Sequence, residues 1–414
     1  MKFRLIAKNL LTGLFVGLAK VILTKYQPKI VVITGSIGKT STKEALYTIL
    51  RRFVSVRKNT IQGNNLGLAL SIIGGDPEPK PLNYLQTIWK GINLVLLKAP
   101  YPKWLILELS VREPGDLRLI TPWLTPDSVI VTYFGLMPPH IEFFKSREHL
   151  IDEKLKIIAR LKKGGTVYLN ADDPNFEYVK SKIKASIVTF GLTAGVNVLG
   201  SNVQTIYEND FPSGMNFKVN LEGHSLPVNI KGALGKNHVC AFLASVALAS
   251  RERFNLIEAS QAAENYSAPW GRMRLSLGKQ GALIIDDSYN SSPKALEEAL
   301  NTLRDIKTPG RKIAVLGDML ELGRDTYENH KQMGALAAKT ANQLVTIGFR
   351  ARGFGEGAAG LMPSGNIFEF EDTRQVINFL KNSIKPGDVI LVKGSRIMHL
   401  EKIVEEIKAE NYRG

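Results

Sequence analysis

The chain has 414 residues, enough for two or three domains with sizeable cores, and its 44% apolar and 22% charged content is that of a folded protein. Its one cysteine excludes an internal disulfide framework, and six histidines leave little material for a structural zinc site. A formal charge of +16 points to anionic partners; with no basic, aromatic-interleaved nucleic-acid motif, small anions and anionic membrane rank above nucleic acid.

In chain order, residues 1–28 are apolar and basic. The longest uncharged run, Asn9 to Ala19, is too short to span a bilayer. A helical wheel puts Phe3, Leu10, Leu14, Leu18, Val21 and Ile22 on one side, opposite Lys2, Asn9, Thr12 and Lys20. Such an amphipathic helix either lies in a membrane interface or packs on the next domain. No small-residue cleavage site follows it, which argues against a secretory signal.

Residues 30–43 read Ile-Val-Val-Ile-Thr-Gly-Ser-Ile-Gly-Lys-Thr-Ser-Thr-Lys. A β-branched run becomes a short glycine loop, then a helical pattern through Ile49. Strand, glycine loop, Lys-Thr and helix form a phosphate cradle: Gly35 and Gly38 let the backbone wrap closely, and N–H groups at a helix start point at the anion. Lys39 would neutralise phosphate charge and the Thr40 hydroxyl would hold Mg²⁺.

From 29 to about 190, strands (30–34, 104–109, 128–134, 166–170, 186–190) alternate with helices (40–52, 84–98, 147–163, 174–183). That predicts a mostly parallel sheet, whose ligands sit beyond the carboxyl ends of its strands. Glu108 ends one strand and His140 follows another, so both are candidates for Mg²⁺ chemistry. The plainer alternatives are a Glu108–Arg112 pair and a satisfied loop histidine. Residues 191–231 alternate like a small antiparallel insertion, and Gly235-Lys-Asn-His238 leads into an alanine-rich helix, where Asn237 and His238 read most simply as a cap and a surface histidine. Ser-Ala-Pro-Trp at 267–270 reads as a linker. The tail is again α/β, with strands 282–286, 312–316, 343–347, 367–370 and 388–392 ending in polar segments. Gly355-Glu-Gly-Ala-Ala-Gly360 matches a dinucleotide fingerprint but starts too far after its strand, so it reads as a flexible loop.

The expected fold is therefore α/β: a P-loop, mostly parallel central sheet with a small antiparallel insertion, then a Rossmann-like α/β domain. Expected divisions are 1–28, 29–266 and 267–414.

Several ordered motifs carry a resemblance over residues 29–410: Thr34-Gly-Ser-Ile-Gly-Lys-Thr-Ser, Gly63-Asn-Asn-Leu-Gly67, Glu108, Pro139-His140, Gly235-Lys-Asn-His238, Gly271-Arg272, Asp286-Asp-Ser-Tyr-Asn-Ser-Ser-Pro293, Gly317-Asp-Met-Leu-Glu-Leu-Gly323 and Leu391-Val-Lys-Gly-Ser-Arg396. Together they resemble the Mur ligases, ATP-dependent amide-forming enzymes of cell-wall precursor synthesis, and most closely the branch that adds D-alanyl-D-alanine to a muramoyl tripeptide. The resemblance implies that a substrate carboxylate takes the γ-phosphoryl group of ATP and that an amine then displaces phosphate. By the same resemblance, Gly35, Ser36, Gly38, Lys39, Thr40 and Ser41 serve the ATP phosphates, and Thr40, Glu108 and His140 serve Mg²⁺. Lys154 matches a lysine that the family often carbamoylates; the alternative is an exposed helix lysine. Asn237 and His238 lie on the adenine side, Arg272 reaches the γ-phosphate when the tail domain closes, and Asp286 and Asn290 touch ribose and phosphate. Asn64 and Asn65 face substrate, while Lys393, Ser395 and Arg396 receive the incoming amine.

Two departures qualify the match. Only residues 1–28 precede the first strand, where the family carries a domain for the uridine nucleotide, so the acceptor is expected to be held by the basic surface or to be membrane-associated. Glu108 is followed by Leu-Ser-Val-Arg112, where the branch usually has small residues and Asn or His. A monomer acting on a small peptide-type acceptor and an amino-acid or dipeptide amine is expected, in the cytoplasm or at the inner membrane face, with no nucleic-acid partner. The alternatives are a related ligase on a folate or poly-amino-acid acceptor, and a non-catalytic nucleotide-gated scaffold.

Overall fold

The computed structural model describes residues 2–61, 63–75 and 81–409. The chain forms two compact units. The first takes the chain up to Phe134, then Phe143–Leu199 and Cys240–Ala262; the second takes Gly135–Glu142, Gly200–Val239 and the chain from Ala263 onward.

The first unit opens with α1 (Lys2–Tyr26), β1 (Lys29–Thr34), α2 (Lys39–Leu50), β2 (Val56–Lys58), α3 (Asn65–Ile73), α4 (Pro81–Leu96) and β3 (Trp104–Glu108). It continues through β4 (Ser128–Val131), α5 (Arg147–Leu155), β5 (Thr166–Asn170), α6 (Phe176–Ser181), β6 (Ser186–Gly191) and the first residues of β7 (Val198–Glu208). Strand order is β2-β3-β1-β4-β5-β6, all parallel, and β7 begins parallel to β6. The central strands are apolar on both faces because both faces are covered: Val31, Val32 and Ile33 are fully buried, as are Ala45, Leu46 and Ile49 of α2. Register places Ile33 beside Glu108 and Thr34 beside Val131, so the carboxyl ends of three strands meet at the glycine loop.

The second unit holds the rest of β7, β8 (Phe211–Leu221) and β9 (His224–Lys231), with β8 and β9 antiparallel as the alternation predicts. After α7 (Lys236–Arg251) and α8 (Leu256–Gln261), both largely in the first unit, come β10 (Arg274–Leu277), β11 (Leu283–Asp287), α9 (Pro293–Asp305), β12 (Lys312–Gly317) and α10 (Thr326–Thr340). The chain closes with β13 (Gln343–Ile347), α11 (Arg352–Ala358), β14 (Ile367–Phe370), α12 (Thr373–Ser383), β15 (Val389–Lys393) and α13 (Glu401–Ile407). The sheet order is β10-β11-β15-β12-β13-β14; β10 is antiparallel and the rest are parallel. One sheet face buries Ile284, Val315, Val345 and Ile390 with Val376 and Leu380 of α12 and Ile403 and Ile407 of α13.

The apolar side that the wheel marks on α1 is divided: Ile22 is buried with Phe15, Val16 and Ala19, while Leu10, Leu14 and Val21 are exposed, so the helix both packs on the protein and leaves an apolar stripe outside. Three expectations are corrected. Over Asn9–Tyr26 the same helix is long and apolar enough to cross a membrane by length and composition, because isolated lysines do not end such a run. The helix expected over 147–163 is α-helical only to Leu155 and tightens to a 3₁₀ turn over Lys156–Arg160.

The glycine-rich segment from Gly355 is not a flexible loop: Gly355 and Gly357 lie in α11. They are packing glycines, since a Cβ on Gly357 would lie 1.9 Å from the Lys331 carbonyl oxygen and one on Gly334 2.0 Å from that of Phe354. Gly357→Val should therefore destabilise the protein by about 2–4 kcal/mol, read from the urea midpoint, whereas Gly365→Val, with nothing near its Cβ position, should change it by less than about 1 kcal/mol.

Candidate active site

The loop after β1 is built by close backbone approach. Gly35 (φ 128°) leaves no room for a side chain, because a Cβ there would lie 2.2 Å from Thr132 Oγ1. The Ser36 and Ile37 N–H groups both donate to the Tyr133 carbonyl at 2.9 Å, which ties the loop to the segment after β4. Gly38 (φ 86°) starts α2 in the left-handed region, and no side chain among the described residues caps that helix. An uncapped helix start after a glycine turn is the geometry an anion completes. Lys39 stands at its head, with Nζ donating to the Ser36 carbonyl at 3.2 Å; Ser41 packs inward at 3% exposure.

Glu108 closes the cradle from β3. Its Oε1 accepts from Thr40 Oγ1 at 2.9 Å and its Oε2 lies 3.0 Å from Lys43 Nζ, so the alternative pairing with Arg112 is not the one formed. The Asn59 amide brackets the same residue, accepting from the Glu108 N–H at 2.8 Å and donating to its carbonyl at 3.1 Å. Gly63 packs against this strand end, where a Cβ would lie 1.9 Å from the Glu108 carbonyl oxygen. A threonine hydroxyl and a carboxylate at hydrogen-bond distance are a hard oxygen donor set of the kind Mg²⁺ shares with substrate phosphates, so the residues present fit that ion. Lys43 and Asn59 were missed in the sequence. Lys43 was findable, since it sits three residues after Thr40 on one helix face, but Asn59 reaches Glu108 only through the fold.

Lys154 is no exposed helix lysine. It is 3% exposed, and its Nζ donates to the Gly35 carbonyl at 3.1 Å and to Ser36 Oγ at 3.0 Å. Burial, followed by the nearby Lys39 charge, holds its amine well below the ordinary lysine range. Asn64 caps α3 by accepting from the Gly67 N–H at 2.9 Å, and Asn65 accepts from Trp123 Nε1 at 3.0 Å.

In the second unit His140 (φ 68°) and Glu321 (φ 64°) both sit in the left-handed region, with Nδ1 2.5 Å from Oε2. His140's partner in the structure is thus a carboxylate in the Gly317–Gly323 motif. Among the described residues no group of three or more His, Cys, Asp or Glu side chains gathers as a metal site. His238 is buried at 1% exposure, which corrects its reading as a surface histidine; its ring nitrogens lie 2.8 Å from Tyr266 Oη and from the Arg272 carbonyl. Asn237 donates to Glu298 at 3.1 Å.

The carboxyl ends of β11 and β15 align Asp287 with Lys393, and their side chains pair at 2.6 Å in the interior. Burial pushes the Asp287 carboxyl up against the opposing pull of Lys393. Lys393 also donates to the Asn290 carbonyl at 2.8 Å. Asp286 accepts from the Gly271 N–H at 3.0 Å and from the Ser288 N–H and hydroxyl at 3.1 and 2.6 Å, so its oxygens are spent on the linker and the turn. Ser395 Oγ accepts from the Leu320 N–H at 2.9 Å. Asp286, Lys393 and Ser395, expected as direct contacts, are thus buried and bonded within the protein. The exposed member of that group is Arg396, whose guanidinium lies 4.8 Å from the Trp270 ring and 5.5 Å from that of Tyr289; Arg272 covers the same Tyr289 ring at 4.1 Å.

With this geometry in place, comparison with known proteins decides the family. Residues 33–249 match the Mur ligase middle domain, and residues 271–396 match the Mur ligase glutamate ligase domain. The chain belongs to the Mur ligase family. It is similar to the UDP-N-acetylmuramoyl-tripeptide–D-alanyl-D-alanine ligase of Bacillus subtilis, at 26% identity across 94% of this chain and 78% of the relative. It is 28% identical to the ligase of the same name from Buchnera aphidicola, with the same coverage. Among solved structures it superposes on the MurF ligase of Thermotoga maritima in complex with ADP, with a TM-score of 0.76, 25% identity, and 96% and 83% of the two chains covered. MurF from Acinetobacter baumannii gives 0.77 at 22% identity, covering 95% and 79%.

Burial also sets a pH dependence in this Mur ligase. The His238 pKa is lowered to about 4 from 6.5, chiefly by desolvation. The unfolded chain then takes up the proton first, so the contribution of His238 is intact above pH 6.5 and is lost as pH falls from 6.5 towards 4. The difference in melting temperature between the wild-type protein and His238→Gln should narrow over that range; a constant difference would contradict neutral burial of the ring.

Proposed function

We propose that the chain is an ATP-dependent carboxylate–amine ligase that joins D-alanyl-D-alanine, or a similar amine, to a muramoyl-peptide-type acceptor. The observation that carries this is the cradle of Gly35–Thr40, Glu108 and buried Lys154 on one sheet edge, in a chain whose relatives bear that activity in their names. The carboxylate oxygen attacks the γ-phosphorus of ATP and ADP leaves. The amine nitrogen then attacks the acyl carbon, phosphate leaves, and the nitrogen gives up a proton.

Lys39 and the start of α2 would bind and orient the phosphates. Thr40 and Glu108 would hold Mg²⁺, which supplies charge neutralisation on the phosphate oxygens when bound. Lys43 neutralises Glu108 in the structure described and would be the group displaced from it. A neutral amine is what attacks CO₂, so the depressed pKa of Lys154 suits it to become a carbamate, releasing one proton. The product anion would sit near Lys39, where the ammonium meets like charge. In the second unit Arg396 and Arg272, stacked on aromatic rings, are suited to anionic groups of nucleotide or amine substrate, and Asn237, His238 and Asn290 would serve the nucleotide. The substrates are small molecules, and the protein is proposed to act as a cytoplasmic monomer.

Phosphate release should require both acceptor and amine, and ATP turnover indifferent to every carboxylate–amine pair would contradict ligation. Lys39→Ala should abolish turnover, by about 10³-fold or more, with the melting temperature kept. Lys154→Ala should lose activity and recover part of it with added short carboxylic acids. Full activity without rescue would remove the carbamate role.

A further inference from the structure

The outward faces of α1 and α4 carry apolar stripes that the ligase site does not use. On α1 Leu10, Leu14 and Val21 are 71%, 46% and 47% exposed, at spacings of four and seven. On α4 Leu85, Trp89 and Leu96 are 65%, 67% and 73% exposed, at the same spacings. Spacings of four and seven put each trio along one side of its helix. The two helices are packed together. The Phe15 and Tyr84 rings lie 5.7 Å apart, a Cβ on Gly91 would lie 3.0 Å from Leu18 Cδ1, and Lys25 Nζ donates to the carbonyls of Leu94, Val95 and Leu97 at 2.7–2.9 Å. Contacts run from 15 with 84 to 25 with 94–97, so the helices are parallel neighbours. Six large apolar side chains therefore stand in water on one two-helix element, where scattered single ones would need no explanation.

We propose that this two-helix face docks on an anionic lipid surface. Charge chooses the occupant. Residues 1–28 contain five basic residues and no acidic one, and residues 81–103 contain three basic residues and no acidic one. Exposed Lys20 and Lys98 flank the apolar stripes. A second copy of the chain would bring the same positive border against this one, as a two-fold interface requires, whereas anionic headgroups complement it and acyl chains receive the leucines and Trp89. The inner face of α1 is committed to the protein, with Phe15, Ala19 and Ile22 at 0% exposure, and α1 packs on α3 as well as α4. The helix thus lies along the interface with its outer face in lipid. This proposal does not rest on the ligase reading, since none of these residues belongs to the glycine loop or its surroundings.

The test is co-sedimentation of the full chain with vesicles of phosphatidylcholine alone and of phosphatidylcholine mixed with phosphatidylglycerol. Binding to the anionic vesicles should be tighter by about tenfold or more and should weaken with salt. The double variant Leu14→Ser, Trp89→Ser should lower binding by about tenfold or more while the circular dichroism spectrum and ATP turnover stay as in the wild type. The double variant Lys20→Gln, Lys98→Gln should reduce the preference for anionic vesicles. Equal binding to both vesicle types, or binding to neither, overturns the proposal. So does self-association in solution that the Leu14→Ser, Trp89→Ser variant abolishes without any vesicle binding, and so does sedimentation that resists high salt and alkaline carbonate, which would mean that α1 crosses the bilayer.

Discussion

The candidate site depends on one costly placement, a lysine amine taken out of water beneath a glycine loop. Lys154 reaches the Gly35 carbonyl and the Ser36 hydroxyl, two neutral oxygens, with Lys39 on the same loop. An ammonium there would lose hydration and meet like charge, so the structure favours the neutral amine. The loop accepts this because Gly35 lets the backbone lie against Thr132 and because two N–H groups bind the Tyr133 carbonyl. Loop shape and amine chemistry thus come from the same packing.

Glu108 answers a similar problem with the opposite sign. Its carboxylate is shared between a hydroxyl and an ammonium, and its backbone is clamped by the Asn59 amide. A metal ion meeting this carboxylate would compete with Lys43, so the site is preorganised at the backbone and exchangeable at the side chain. In the second unit the acidic pair Asp286-Asp287 does different work. Asp286 and Asp287 are interior groups that tie β11 to the linker and to β15, while the half-buried Arg272 and the exposed Arg396 stack on aromatic rings, Arg396 also pairing with Glu401.

Much of this was readable along the chain. Buried parallel strands are short β-branched runs, and the runs at 30–34, 104–109, 166–170 and 343–347 coincide with β1, β3, β5 and β13 within a residue. The glycine loop was legible because its chemistry is local: turn, cation and helix start are adjacent in sequence. The helix over Asn65–Ile73 was not picked out, since its apolar run carries little periodic contrast. Gly355 and Gly357 misled because a glycine that lets a helix touch a neighbouring strand or helix looks the same in sequence as one that bends a loop.

What the sequence alone determined is the order of α/β elements, the phosphate-type loop and the family resemblance, because each rests on near neighbours and strict spacing. Only the tertiary structure decided that Lys154 is buried, that Glu108 meets Lys43 and not Arg112, that His238 is an interior ring, and which side of α1 is covered. Those facts depend on partners tens of residues away, and burial is a property of the packed whole. A lysine, a histidine or a leucine carries no mark of its own to say which neighbours will exclude water from it.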